Sequence, residues 1–355
     1  MKTSYNIIGI MSGSSLDGLD IAFCNFSNNR GKWKYKILAA ETANFPDWLK
    51  SQLRDIHNLT PEKFVRLDFQ FGKFIGTAVN AFRDTHNISG IDYISSHGHT
   101  AFHNPAEAYT SQIGSGAAIA AETNISTICD FRATDVAMGG EGAPLVPAGD
   151  RLLFGDYDYC LNLGGYSNIS YEFNKTRIAF DICPVNKIIN HLAAVLNQNM
   201  DKDGEMARKG EINTQLLEKL NSLEFYHRTP PKSIDDNWFK KTFLNCMSQF
   251  DKVNVYDKLR TVYEHIAIQI KNATKHTDNK SILSTGGGTH NEFLIERIKE
   301  LNQNTLIVPD KILINYKEAI VFGFMGVLRI INEPNCLCSV TGAKKDSVSG
   351  VVYKV

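Results

Sequence analysis

The sequence predicts an α/β protein with two related halves, each built on a mixed β-sheet covered by helices. Two strand–loop–strand segments, one in each half, carry this prediction. The first joins the apolar residues 7–10 to residues 21–23 through a Ser/Gly loop, and the second repeats that order at 159–171. A third feature, the glycine triplet 286–288, separates a strand pattern from a helical pattern that starts near Asn291. Recurrence of one pattern in both halves indicates a duplicated fold.

The composition is that of an ordinary globular chain without a charge bias. The 355 residues suffice for two domains and a large buried core. Lys+Arg and Asp+Glu both number 38, so nothing in the charge points to nucleic acid or an anionic membrane as a partner. We expect no signal peptide, and no apolar run approaches the ~18 residues of a membrane span. Seven cysteines without a C-x-x-C pair favour a reduced, cytoplasmic protein.

The elements of the first half follow in the order strand, strand, strand, helices, strand. Residues 33–40 form the third predicted strand, and apolar residues then recur at helical spacing over 61–84. Thr60 before a proline is a good helix start, because Thr caps the helix and Pro suits its first turn. A strand at 91–96, a short helix and a strand at 126–131 follow. Antiparallel strands followed by alternating helices and strands imply a mixed sheet.

The second half repeats this order after a Gly/Pro-rich segment, 138–147, whose composition is typical of a crossing between domains. A hairpin at 159–173 leads to a strand at 177–181 and a helix from about Val185. Long amphipathic helices are predicted at about 235–250, at about 254–275 and, at the end of the chain, at about 317–331. We expect an N-terminal domain of residues 1–131 plus roughly 332–355, and a C-terminal domain of residues 132–331.

The two Ser/Gly loops are candidate phosphate-binding loops, because they offer backbone N–H groups and hydroxyls. In the first loop Gly13 and Gly18 allow close approach of a ligand, and Asp17 can hold a metal ion through water. The triplet 286–288 lets the backbone lie flat against a base or ribose. Each segment alone also fits an ordinary turn. Three together favour a nucleotide bound between the halves, although the P-loop and dinucleotide-binding motifs are absent.

Two carboxylates are candidates for catalysis. Asp181 ends an apolar strand, which suits a general base, but it would serve equally as the cap of the following helix. Glu318 lies at the start of the predicted terminal helix, where the helix dipole alone favours glutamate. His97 and His99 would share a strand face, yet no third ligand has metal-site spacing. We interpret their segment as a polar loop that contacts a sugar.

Taken together, these motifs resemble the anhydro-N-acetylmuramic acid kinase family of the actin and hexokinase superfamily over nearly the whole chain. The matching segments are residues 11–20, 96–100, 112–114, 130–132, 140–147, 162–165, 180–181, 201–204, 231–233, 286–288 and 340–343. The resemblance implies two actin/hexokinase (ribonuclease H-like) domains, each with a mixed five-stranded sheet, that flank a nucleotide cleft.

The resemblance also implies a reaction. Family members use ATP and Mg²⁺ to hydrolyse the 1,6-anhydro ring of anhydro-N-acetylmuramic acid and to phosphorylate O6. The product is N-acetylmuramic acid 6-phosphate, in cell-wall recycling. By position, Asp181 matches the base for the attacking water, and Glu318 matches a glutamate that helps hold that water. We expect a homodimer that acts on a small-molecule sugar and binds neither nucleic acid nor membrane.

Ligand contacts follow from the same matches. Sugar contacts are expected at His97, Gly98, Thr100, Arg132 and Asp135. ATP contacts are expected in the two loops and the triplet, with Asp17 also reaching the metal through water. These residues are Gly13, Ser14, Ser15, Leu16, Asp17, Gly18, Leu19, Asp20, Gly164, Gly165, Asn168, Gly286, Gly287 and Gly288.

The chain departs from the family pattern in three places, the first of which is Glu141, where the family usually has Gln. The usual Asp-Thr-Gly-Pro-Gly-Asn is replaced by residues 181–186, in which Cys183 and Val185 stand for the two glycines. After residues 231–233 the usual Gly-Arg-Glu is replaced by residues 234–236, Ile-Asp-Asp. These departures leave open a related amino or anhydro sugar as substrate, or a weak nucleotide and muropeptide sensor. The retained Asp181 favours an enzyme.

Overall fold

A computed structural model describes residues 2–13, 16–275 and 279–355 of the chain. Contacts within it define two units: unit 1 comprises Met1–Phe154 with Tyr316–Val355, and unit 2 comprises Gly155–Asn315. These bounds differ from the predicted domain bounds. Residues 132–154 and 316–331 pack with the first unit rather than the second.

The strands, in chain order, are β1 Ser4–Ser12, β2 Leu19–Asn29, β3 Lys32–Ala43, β4 Tyr93–Ser96, β5 His99–Asn104, β6 Tyr109–Ile113, β7 Thr127–Cys129, β8 Tyr159–Leu163, β9 Tyr166–Phe173, β10 Thr176–Pro184, β11 Ser281–Thr285, β12 Thr305–Ile307 and β13 Val351–Tyr353. The α-helices are α1 Asp47–Arg54, α2 Pro61–Thr85, α3 Gly116–Thr123, α4 Ala133–Ala137, α5 Val146–Leu153, α6 Asn186–Val195, α7 Thr214–Asn221, α8 Glu224–His227, α9 Asp236–Trp238, α10 Asn245–Ser248, α11 Val255–Ala273, α12 Glu292–Leu301, α13 Lys311–Ile330 and α14 Cys338–Thr341. Within the described ranges, no helix combines the length and the apolar character that crossing a membrane requires.

The main sheets of the two units share one topology. The order in unit 1 is β13-β7-β4-β1-β2-β3, and in unit 2 it is β10-β9-β8-β11-β12. In each, three antiparallel strands come first in the chain, and two further strands then add in parallel beside the first of them. The predicted duplicated α/β fold is therefore confirmed. Unit 1 has one strand more than the predicted five, because the short β13 pairs with β7 at the sheet edge.

Helix α2 follows directly from its sequence. The Thr60 side chain accepts a hydrogen bond from the N–H of Lys63 at 3.4 Å, and Pro61 opens the first turn. Its apolar residues recur at three- and four-residue intervals, so they form one face that packs in the core of unit 1. These buried residues are Leu67, Phe71, Ile75, Val79 and Phe82.

Helix α13 lies against the centre of the first sheet. A Cβ on Gly9 of β1 would come 2.0 Å from the carbonyl oxygen of Ala319, so this approach of the two backbones requires glycine. The helix begins at Lys311, earlier than the predicted 317, because the Asp310 side chain accepts from the N–H of Leu313 at 2.8 Å. Glu318 therefore lies beyond the first turn, and the helix-dipole explanation for it was wrong.

One other prediction needs correction, and one element of the structure was not predicted. The helix predicted at 235–250 is divided into α9, a π-helical turn at Phe239–Leu244, and α10. The sequence pattern did not predict the hairpin β5–β6, which forms a separate two-stranded sheet in unit 1. Its strands are short and mix polar with apolar residues, so they carry little alternation.

Candidate active site

The loop between β1 and β2 carries the first group of predicted ATP contacts. Ser14 and Ser15 lie outside the described residues. Leu16 takes a left-handed conformation with φ 58°, and its N–H contacts the carbonyl oxygen of Gly13 at 3.3 Å. Asp17 follows with an exposed side chain. Its carboxylate is thus accessible to a hydrated metal ion.

The residues that lead from this loop into β2 pack within the protein. A Cβ on Gly18 would lie 2.5 Å from Thr42 Cγ2, so β3 itself requires glycine at this position. The side chain of Leu19 is fully buried in the core. Asp20 accepts a hydrogen bond from the Thr42 hydroxyl at 2.7 Å, and burial raises the pKa of its carboxyl despite that bond. Leu19 can therefore offer a ligand only its main chain.

The second loop, between β8 and β9, is joined to the start of α6. The carbonyl oxygen of Gly165 accepts from the N–H groups of Val185 at 2.9 Å and Lys187 at 3.2 Å. That of Gly164 accepts from the N–H of Asn186, also at 3.2 Å. A Cβ on Gly165 would meet nothing within 4 Å. The carbonyl oxygens of this turn thus cap α6, and the space where a side chain of residue 165 would lie is open.

The glycine triplet lies against this second loop. Gly286 has φ 84°, and a Cβ there would come 2.3 Å from Asn162 Oδ1. A Cβ on Gly288 would come 2.9 Å from the carbonyl oxygen that ends β8. Gly287 differs, because its nearest neighbour would be Asn186 Nδ2 at 3.7 Å, an ordinary contact. The structure therefore brings the triplet, the second loop and α6 together in unit 2.

This difference gives a test within the triplet. Gly287→Val is expected to leave the fold intact and to weaken ATP binding, because a side chain there fills space that the protein does not use. Gly288→Val is the matched control, and it should lower the unfolding temperature because its side chain meets the main chain. Calorimetric ATP titration and thermal unfolding measure both effects. Unchanged ATP affinity in Gly287→Val would remove the triplet from the nucleotide site.

Asp181 lies in β10, opposite Asn168 of β9, just before a β-bulge. Its N–H donates to the carbonyl oxygen of Lys232 at 3.0 Å, and its Oδ2 accepts from the N–H of Ile234 at 2.8 Å. Burial raises the pKa of the carboxyl, and the Ile234 hydrogen bond opposes the rise. The residue before α6 is Val185, which makes no side-chain cap. Asp181 is therefore held by the 231–234 segment, and the helix-cap interpretation was wrong.

The side chains that replace the family's glycines point into the core of unit 2. Cys183 and Val185 are both 0% exposed, and Ile182 is 3% exposed. Cys183 Sγ lies 3.4 Å from the Ser167 hydroxyl, and burial raises the pKa of its thiol to about 12. The replacements therefore enlarge the core rather than add a reactive group beside Asp181.

Arg132 is fixed in unit 1 by two acceptors. Its Nε donates to His97 Nε2 at 2.9 Å, and its Nη1 donates to the carbonyl oxygen of Gly142 at 2.6 Å. Because a guanidinium only donates, His97 must be neutral with its proton on Nδ1, which contacts the carbonyl oxygen of Gly98 at 2.9 Å. Burial and the neighbouring Arg132 hold the pKa of His97 well below its usual value. His97 thus orients the guanidinium.

Asp135 organises the segment beside Arg132. Its side chain is fully buried, and it accepts from the Thr341 hydroxyl at 2.7 Å and from the N–H of Gly142 at 2.9 Å. A Cβ on Gly140 would come 2.3 Å from its Oδ2. Both carboxylate oxygens bind groups of the protein, and contact with a sugar stays a prediction.

Glu318 belongs to a group of charges in unit 1. Burial raises the pKa of its carboxyl, Lys317 and Arg132 oppose the rise, and Asp20 and Asp150 add to it. The same surroundings lower the pKa of Arg132 to about 10, mainly through burial, with Glu318 acting in the opposite direction. Glu318 and Arg132 therefore each favour the charged form of the other. Asp20, which follows the first loop, belongs to the same group of charges.

The histidine segment joins the predicted sugar and phosphate loops of unit 1. Gly98, with φ 73°, turns the chain between β4 and β5, so His97 and His99 do not share a strand face as predicted. His99 Nδ1 lies 3.0 Å from the hydroxyl of Ser12, which ends β1. Thr100 follows with an exposed side chain. The turn thus directs one histidine to Arg132 and the other to the first loop.

The relatives of this chain agree with these motifs. The family model for anhydro-N-acetylmuramic acid kinase matches residues 5–355. The chain belongs to the anhydro-N-acetylmuramic acid kinase family. The member from Sulfurovum sp. (strain NBC37-1) is 34% identical over 98% of both chains, and the one from Clostridioides difficile (strain 630) is 34% identical over 97% of both. The predicted resemblance is thereby confirmed.

Structural similarity to a more distant protein is low. The ROK family glucokinase from Streptomyces griseus, solved with glucose and AMPPNP, covers 90% of this chain and 98% of its own. Its sequence identity to this member of the anhydro-N-acetylmuramic acid kinase family is 12%, and the TM-score is 0.39. A similarity at this level supports no assignment of ligand or mechanism.

Proposed function

We propose that this chain is an ATP-dependent kinase that opens the 1,6-anhydro ring of anhydro-N-acetylmuramic acid by hydrolysis and phosphorylates O6. The product is N-acetylmuramic acid 6-phosphate, an intermediate of cell-wall recycling. The observation that carries the proposal is the environment of Asp181 in a chain of this family. Its partly buried carboxylate is held by the N–H of Ile234 and is not used as a helix cap.

In the proposed reaction, Asp181 accepts the proton of a water molecule that attacks C1 of the sugar. The C1–O6 bond breaks, and O6 takes the γ-phosphoryl group of ATP. ADP is the leaving group. Burial raises the pKa of Asp181, so this carboxylate binds the proton more readily than an exposed one. The hydrogen bond from Ile234 fixes the oxygen that does not take the proton. The predicted role of Glu318 in holding this water remains a prediction.

We further propose that Arg132 binds the carboxylate of the muramic acid. His97 and Gly142 hold its Nε and Nη1, which leaves the fork of the guanidinium oriented for an anionic group. Neutral His97 accepts without adding a second positive charge. A sugar without this carboxylate would lose the charged contact, so Arg132 gives a reason for preferring muramic acid.

The carboxylate of Asp17 fits a magnesium ion held through water, because it is exposed between β1 and β2 and Mg²⁺ prefers oxygen ligands. When bound, Mg²⁺ neutralises charge on the phosphates of ATP. Gly165 and Gly287 leave open space in unit 2, as a bound nucleotide needs. We propose that these residues take part in ATP and Mg²⁺ binding.

Asp17→Ala is expected to lower kcat more than it weakens ATP binding, since positioning of the γ-phosphoryl group supplies most of the catalysis. Activity as a function of Mg²⁺ concentration and calorimetric ATP titration separate the two effects. Asp47→Ala, an exposed aspartate in α1, is the control. Full turnover of Asp17→Ala at saturating Mg²⁺ would reduce Asp17 to a turn residue.

The activity itself is tested with a panel of anhydro and free amino sugars, each incubated with ATP and Mg²⁺. The expected product gains one water and one phosphoryl group from anhydro-N-acetylmuramic acid, as mass analysis shows. A panel in which a different sugar reacts faster would assign a related kinase instead. ATP binding without turnover of any sugar would favour a sensor.

We also propose a cytoplasmic homodimer. The outer face of α2 exposes Val65 and Phe69, which are 57% and 50% exposed. Glu62 and Lys73 lie on either side of them, so two antiparallel copies of α2 would bring opposite charges together. Buried thiols such as Cys24 suit a reducing compartment. Light scattering of the purified protein measures its molar mass and tests the dimer.

A further inference from the structure

Gln112 has an unsatisfied polar atom beside the predicted sugar loop. Its Nε2 donates to the Thr110 hydroxyl at 2.8 Å, whereas its buried Oε1 has no hydrogen-bond partner among the residues that the structure describes. Exchanging the amide oxygen and nitrogen would pair Oε1 with that hydroxyl and leave Nε2 alone. One amide atom of Gln112 therefore lacks a partner in either orientation, and a buried polar atom of this kind needs a ligand or water.

The position of Gln112 ties it to the sugar loop. It lies opposite Thr100 in the β5–β6 hairpin. A Cβ on Gly98 would come 2.5 Å from the carbonyl oxygen of Ile113 and 3.5 Å from Gln112 Cβ. Glycine at 98 thus allows β6 to pack directly on the turn that presents His97. Gln112 therefore lies beside the turn and strand that carry the predicted sugar contacts Gly98 and Thr100.

Polar contacts connect Gln112 to His103, which lies beside the same glycine as Arg132. Thr110, which binds the Gln112 amide, lies 3.0 Å from His103 Nδ1. A Cβ on Gly142 would meet both His103 Cε1 at 3.4 Å and Arg132 Cβ at 3.6 Å, so these two residues flank the same glycine. The group consists of a guanidinium, an imidazole, a hydroxyl and an amide, with the carboxylate of Glu318 acting on Arg132 and that of Glu141 acting on His103. The guanidinium of Arg132 can bind an anionic group of a ligand, and the side-chain amide of Gln112 can pair with a neutral amide.

We propose that Gln112 recognises the acetamido group of the sugar by pairing its side-chain amide with that group. An acetamido group has one N–H and one C=O, so it satisfies the unpaired atom of Gln112 in either amide orientation. Removal of the acetyl group would leave an ammonium near Arg132 and would leave the Gln112 atom unpaired. This inference rests on the proposed function and adds a residue that determines substrate specificity.

The test compares anhydro-N-acetylmuramic acid with its de-N-acetylated analogue in wild type, Gln112→Met and Gln112→Glu. In Gln112→Met the KM for the N-acetylated sugar should rise about tenfold or more, with little change in kcat, because a buried hydrogen bond is lost. The KM for the analogue should stay constant, so the preference for the acetylated sugar falls. Gln112→Glu should lower the KM for the analogue, since a carboxylate attracts its ammonium.

Gln70→Met, the same change at an exposed position of α2, is the control and should keep the wild-type preference. Thermal unfolding identifies any variant that fails to fold. If wild type turns over the N-acetylated sugar and both folded Gln112 variants keep the wild-type preference for it, the assignment of Gln112 is overturned and the proposed function is not. If wild type turns over neither sugar, the proposed function is overturned and this inference with it.

Discussion

Asp181→Asn is expected to lower turnover by about 10²–10⁴-fold while the variant still binds sugar and ATP, because asparagine cannot accept the proton of the attacking water. The substitution keeps the size of the side chain. It also keeps an oxygen that can accept from the N–H of Ile234, which lies 2.8 Å from Oδ2 in the wild type. The loss should therefore appear in kcat, whereas both ligand affinities stay near wild type.

The stability of this variant separates a functional from a structural role. Burial raises the pKa of Asp181 in the folded protein above the ordinary aspartate value of 3.8. A carboxyl with a raised pKa binds its proton more tightly in the folded state than in the unfolded state. Its contribution to stability therefore falls as the pH rises from the unfolded-state pKa through the raised pKa of the folded state. At neutral pH the ionised carboxylate thus costs stability, and Asp181→Asn should unfold at the same temperature as wild type or a higher one.

The dependence of kcat on pH follows from the same raised pKa of Asp181. Activity requires ionised Asp181, so kcat should fall as the pH drops through the raised pKa, and the acidic limb should lie above pH 3.8. Asp235→Asn is the matched control, because Asp235 caps α9 by accepting from the N–H of Trp238 at 2.6 Å and asparagine caps equally well. An Asp181→Asn enzyme with most of its activity would remove Asp181 from the mechanism.

Arg132→Met is expected to lower kcat/KM by about 10²-fold or more, mainly through KM, because a charged hydrogen bond to the substrate carboxylate is lost. The change also leaves His97 Nε2 and the carbonyl oxygen of Gly142 without their donor. Arg132→Lys should recover little of this, since one ammonium cannot replace the planar fork that reaches both acceptors. Steady-state kinetics with the muramic acid sugar and with an analogue lacking the carboxylate measure the effect.

The analogue that lacks the carboxylate distinguishes substrate binding by Arg132 from a purely structural role. Wild type and Arg132→Met should use the analogue almost equally, because neither can form the charged contact with it. Arg66→Met, an exposed arginine of α2 that pairs with Glu62, should behave as wild type with both sugars. A loss of the same size with both sugars would mean that Arg132 only maintains the local structure.

Local signals in the sequence predicted much of the fold. The cap of α2 by Thr60, its apolar face and the two hairpin loops depend on residues close in the chain, and the structure has all three. The domain bounds depend instead on how 132–154 and 316–331 pack on distant strands, and no local pattern encodes that. Asp310 is a recognisable helix cap, so the start of α13 was within reach of sequence reasoning.

The same contrast between local sequence signals and contacts distant in the chain applies to the candidate site. Asp181, Arg132 and His97 were identifiable by residue type and family position. Their partners are often main-chain groups, such as the N–H of Ile234 and the carbonyl oxygen of Gly142, and these have no side-chain signature in a sequence. The requirement for glycine at 18 and 286 likewise comes from packing against β3 and Asn162. Such requirements become visible only when neighbours in space are known.

Hydrolysis in water enriched in ¹⁸O tests the central claim most directly. The protein is incubated with anhydro-N-acetylmuramic acid, ATP and Mg²⁺, and the product is analysed at once by tandem mass spectrometry against a non-enzymatic exchange control. We predict ATP-dependent formation of a sugar phosphate that carries ¹⁸O on C1 and the phosphoryl group on O6, and no such product from Asp181→Asn. A phosphorylated sugar without ¹⁸O on C1, or no phosphorylated sugar from wild type, would contradict the account.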